Sequence, residues 1–129
     1  MTRPQGKRGS KSKFIMIDHS VFNHPAYRSL KVGPRSLFFE LIARFKGYNN
    51  GKIYLSSRQA AERLNCTKDT ALAYFKVLEN RGFIVAVKQH ALGVEGKGRA
   101  TEWRLTHLPC DGSKPTFDFT KKSEPQQEN

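Results

Sequence analysis

Apolar positions along the chain follow two periodicities, and their order suggests the architecture. Within residues 34–46, Leu37, Phe38, Leu41, Ile42 and Phe45 recur three and four apart, which predicts a helix with one buried face. A second helix is expected after Ser56. Ser56 followed by Gln59 is a capping box, and Ala60, Ala61 and Leu64 then share a face. Asn65-Cys66 interrupts that pattern, and Thr67 suits the N-cap of a third helix. In that helix Ala71, Tyr74, Phe75 and Leu78 form one apolar stripe, and Gly82 fits the left-handed position just past its end. Asp69, Ala73, Lys76 and Asn80 point the opposite way, with Lys68 and Leu72 on one flank.

Shorter segments alternate instead. Residues 52–55 read as a strand, and residues 83–87 are rich in β-formers. Residues 100–106 return as the second strand of a hairpin whose loop, 90–99, carries Gly93, Gly96 and Gly98. Upstream, residues 14–17 are an apolar run of strand or extended character, and Asp18-His19-Ser20 offers an N-cap. Pro25 suits the first turn of a short helix over 26–30. The order is helix, short strand, helix, turn, helix, hairpin. The expected fold class is therefore α+β, mostly helical: a winged helix-turn-helix with a C-terminal β-hairpin wing. Residues 1–13 form an expected disordered basic arm, 14–108 the domain, and 109–129 a mobile tail. Both ends are expected to be dispensable for folding, with Phe117 and Phe119 the apolar exceptions in the tail.

Charge narrows the class of partner. Lys and Arg number 23 against 11 Asp and Glu, a net charge of +12 that favours a polyanion, nucleic acid ahead of membrane. No apolar run approaches bilayer length, and the basic N-terminus is not followed by a signal-peptide core. Cys66 and Cys110 show no framework spacing, so a reduced, cytoplasmic compartment is expected. Asn65-Cys66-Thr67 matches a glycosylation sequon but lies between two expected helices in a chain with no secretory signal.

The candidate DNA-binding residues follow from the third helix. Lys68, Thr70, Ala73 and Lys76 are the positions expected to face a major groove, with Thr67 at its start. Lys76 is the candidate guanine reader. A solvated face needs no small residue, whereas close groove approach tolerates Ala73. Asp69 either serves the helix start, where its charge is favourable, or accepts from a cytosine amino group, and the former is the commoner use. Arg58, in the first turn of the preceding helix, is a candidate phosphate contact. Lys97 and Arg99 lie among glycines at the wing tip, where a loop can follow a backbone or enter a minor groove. Tyr74 reads as core, and Trp103 as packing the hairpin onto the helices.

Other chemistry finds no pattern. Residues 93–98 resemble a phosphate-binding loop only superficially, since Gly98 occupies the hydroxyl position and Ala91 replaces the first glycine. His107 and Cys110 are close, but no second pair lies at metal-ligand spacing, so no metal or cofactor is expected. Nothing places a nucleophile beside a base, and the chain is not expected to be an enzyme.

The run HPAYRSLKVGPRSLFFELIARFKGYNNGKIYLSSRQAAERLNCTKDTALAYFKVLENRGFI, closed by GRATEWRLT, resembles winged-helix proteins of bacterial mobile elements and prophages. More distantly it is similar to the N-terminal domains of plasmid and phage replication initiators. The resemblance spans about residues 14–108 and implies the fold, while that group mixes repressors with replication proteins. An initiator usually carries a further domain, for which 129 residues leave no room. The expected function is sequence-specific binding of double-stranded DNA, as a transcriptional regulator acting by occupancy. A replication or plasmid-maintenance factor is the alternative, and a protein-docking winged helix the alternative of another class. A homodimer is left open; no membrane or small-molecule partner is expected.

Overall fold

The computed structural model describes residues 13–88 and 101–122. The basic arm through residue 12 and the loop 90–99, with Lys97 and Arg99, lie outside them.

Local chemistry accounts for each helix boundary. In α1 (His19–Phe22) the Asp18 carboxylate accepts the Ser20 amide at 2.8 Å. In α2 (Pro25–Arg28) His24 Nδ1 accepts the Ala26 amide at 3.0 Å and Pro25 fills the first position, where no amide is needed. Helix α3 (Val32–Ala43) starts two residues before the expected Pro34. Gly33 and Pro34 lie in its first turn, whose amides have no intrahelical acceptor in any helix, so the proline costs nothing there. The Tyr74 ring lies over Gly33 in the space that a β-carbon would take, so a larger residue there needs that ring to move. At the other end α3 stops short of residue 46. The Arg44 and Phe45 amides tighten onto Leu41 and Ile42 at 3.0 and 2.9 Å, and the Asn49 side chain takes the Arg44 carbonyl and the Lys46 amide.

Helices α4 (Ser57–Leu64) and α5 (Lys68–Asn80) fall where the caps placed them. Both bonds of the capping box form: Ser56 Oγ accepts the Gln59 amide at 3.0 Å, and Gln59 Oε1 accepts the Ser56 amide at 3.2 Å. Asn65 ends α4 in the left-handed conformation at φ 58°, and Thr67 caps α5. Gly82 follows α5 at φ 84°, and a β-carbon there would lie 2.8 Å from the Asp118 carbonyl.

Three short strands, β1 (Ile53–Tyr54), β2 (Ile84–Lys88) and β3 (Glu102–Leu105), pair antiparallel in the order β1-β3-β2. The register sets Trp103 between Ile53 and Ala86, so the inward faces of all three strands meet the helices. A bulge interrupts β2 between Ala86 and Lys88. The described residues thus form an α+β fold, about 46% helical, with a small three-stranded antiparallel sheet. Residues 14–17 join no strand among the described residues, and Phe14, Ile15 and Met16 are exposed.

The core has two parts of different character. Leu37, Phe38, Leu41 and Ile42 of α3 meet Ala71, Phe75 and Leu78 of α5 in one buried cluster. Beside it, Phe83 stacks on Phe119 with centroids 4.8 Å apart and meets Phe38 edge-on at 5.3 Å. Here the expected boundary at 108 is corrected. The Thr116 and Phe117 amides both donate to the Thr106 carbonyl, and α6 (Phe119–Lys122) carries Phe119 to 1% exposure. Residues 109–122 therefore belong to the packed body, because one aromatic ring finds a slot between Phe83 and His24.

Two buried polar residues complete this end. The Asn50 side-chain amide donates to the carbonyls of Leu105, Leu108 and Pro109, and its oxygen accepts the Leu105 amide at 2.7 Å. It ties the turn before β1 to the end of β3. His107 is buried against Phe38, and neither ring nitrogen has a hydrogen-bond partner among the described residues. Burial lowers its pKa to about 4, partly opposed by the Asp18 carboxylate.

Candidate functional site

Basic side chains divide by what they touch. Arg35 donates to the carbonyls of Leu30 and Arg28, Arg81 to Ser29, and Arg104 to Thr116. Arg44 and Arg63 share the Glu40 carboxylate at 3.1 and 3.0 Å, which joins α3 to α4. These five cations hold the fold together. Arg58, Lys68 and Lys76 are exposed and have no ion pair or hydrogen bond among the described residues.

Those three line one groove of about 520 Å³ between the start of α4, one flank of α5 and strand β3. Its floor is apolar: Phe75 stacks on Trp103 at 5.5 Å and 14°, with Leu55 and Leu72 alongside. Ser56, Ser57 and Thr101 add hydroxyls, and Glu79 is the one acid among the described lining residues. Arg58 and Lys68 also border a shallower concavity with Asn65, Cys66 and Thr67, so they stand on the ridge between the two. Three cations without partners among the described residues make the field of the groove positive, and the positive end of the α4 dipole adds to it.

The remaining candidates divide. Thr67 is engaged in capping: its oxygen accepts the Thr70 amide at 3.1 Å, and its hydroxyl donates to Thr70 Oγ1 at 3.0 Å. Ala73 is exposed but lies outside the groove lining, on the open face with Asp69 and Asn80. Asp69 sits in the first turn of α5 with its charge favourably placed, while the cap itself is Thr67. Lys76 also lines the groove, at the edge of that open face. Lys97 and Arg99 are outside the described residues.

Sequence reasoning missed Leu55, Ser57, Glu79 and Thr101 as groove residues. Glu79 was within reach, since Lys68, Leu72, Phe75 and Glu79 follow helical spacing along one flank. Thr101 was not, because only strand pairing brings it beside α5. Among the described residues no three His, Cys, Asp or Glu side chains gather to hold a metal ion, and both cysteines are free. Among those residues no helix is long and apolar enough to cross a membrane. Compared with protein-family models, curated proteins and solved structures, the chain matches none.

Proposed function

We propose that this chain is a winged helix-turn-helix protein that binds double-stranded DNA and regulates transcription by occupying its site. The observation that carries the reading is the convergence of Arg58, Lys68 and Lys76, without partners among the described residues, on one groove beside α5. In this reading α4 and α5 are the helix-turn-helix, β2 and β3 the stem of the wing, and α5 enters the major groove. The groove between α5 and β3 then takes a phosphate strand as it passes from the recognition helix towards the wing. Lys76 is assigned to the backbone along with Arg58 and Lys68, and base reading passes to the open face of α5 and to the border between that face and the groove.

A salt titration tests this. With about five phosphates neutralised, log affinity for duplex DNA should fall against log salt with a slope of about −4 to −5. An affinity unchanged between low and physiological salt would overturn the reading. Trp103, the single tryptophan, lies in the groove, so its fluorescence should respond when a duplex seats there.

A further inference from the structure

We propose that Leu72, with Ala73 beside it, reads the C5-methyl group of thymine in the major groove; this rests on the duplex-DNA reading above. Single exposed apolar residues on a protein surface ordinarily carry no meaning. The setting of Leu72 is different. It is 41% exposed on a helix whose other large apolar side chains turn inward or lie partly buried. It stands one turn from Lys68 and one turn from Lys76, and all three line the same groove. Its side chain leans towards the start of α5, the half of a recognition helix that reaches base edges. Ala73, next along the chain and exposed, extends the apolar strip onto the open face.

The base edges of the major groove leave few partners for such a strip. Guanine, cytosine and adenine present hydrogen-bond donors and acceptors there, and thymine alone adds a methyl group. A leucine held between two lysines on phosphates gains by meeting that methyl and loses by meeting a bare polar edge, which it would desolvate. Specificity at this position therefore comes from apolar contact, while the three cations supply affinity without choosing a sequence.

The experiment selects duplexes from a randomised library with the unaltered protein. Each thymine of the selected duplex is then replaced in turn by deoxyuridine, which removes only the methyl. At one or two adjacent positions the exchange should weaken binding about fourfold, the worth of one buried methyl. Leu72→Ala should bind the two duplexes equally, with an unchanged salt slope, and Leu72→Met should keep most of the discrimination. Because Leu72 contributes little to the core, a melting temperature close to that of the unaltered protein should accompany both variants. Tolerance of deoxyuridine everywhere, or the same sensitivity in Leu72→Ala, overturns the proposal while leaving salt-dependent duplex binding intact. Absence of any salt-dependent duplex binding removes the DNA reading itself, and this inference with it.

Discussion

The C-terminal exit of α5 and its groove-lining flank face opposite kinds of surroundings. Past its C-terminus, Gly82 turns the chain so that Phe83 enters a cluster with Tyr27, Phe38 and Phe119, four rings from four separate stretches of chain, each at most 1% exposed. Along one flank of the helix, Lys68 and Lys76 join Arg58 around a groove open to solvent, and none of the three has a partner within the described fold. The aromatic exit packs its side chains on each other; the flank leaves its cations to solvent. Stability and binding should therefore separate under mutation, which gives the comparison its tests.

The largest effect should come from the aromatic end. Phe119→Ala empties a slot between Phe83 and His24 and should lower unfolding free energy by about 3–5 kcal/mol in urea titrations. Duplex affinity of the folded protein should be untouched. A loss below about 1 kcal/mol would show that residues 109–122 contribute little, as their composition suggests.

Acid should act at the same end. His107 is held neutral by burial, so between its ordinary pKa and about 4 the unfolded chain binds a proton that the folded chain does not. Stability is then full above about pH 6.5, falls as the pH drops towards 4, and levels off below that for this group. The total loss should be about 3 kcal/mol. His107→Leu should flatten that window in urea titrations run from pH 7 to pH 4, and a profile unaltered by the substitution would remove His107 as its cause.

Along the groove flank the expected change is in binding. Replacing Arg58, Lys68 and Lys76 together by alanine should flatten the salt slope by about 3. Their side chains are exposed, so unfolding free energy should move by no more than about 0.5 kcal/mol. A large stability loss would mean that these cations have structural partners after all. The smallest effect tests the boundary between the two roles. Ser56 lines the groove, yet its hydroxyl caps α4, so Ser56→Ala should cost about 1 kcal/mol of stability and leave the salt slope unchanged.

What the sequence determined by itself was local. The Ser56–Gln59 box, the Thr67 cap, the turn at Gly82 and the stripe of Ala71, Phe75 and Leu78 all act within a few residues, and each lies where the chain placed it. The start of α3 was misjudged by the same local logic, because a first turn accepts the Gly-Pro pair that usually punctuates. Charge was legible only as a total. Nothing local distinguishes Arg63, tied to Glu40 across 23 positions, from Arg58, which is tied to nothing described. Asn50 stands in an Asn-Asn-Gly stretch of turn-forming residues, yet it anchors Leu105 from 55 positions away. Phe119 sat in a polar stretch whose composition resembled a tail, until Phe83 provided a ring to stack on. Caps and periodicity are set by atoms one turn apart and so are written in neighbouring letters. The choice of partner for a cation, an amide or a ring depends on what the fold brings within about 3–6 Å, and that distance has no counterpart along the chain.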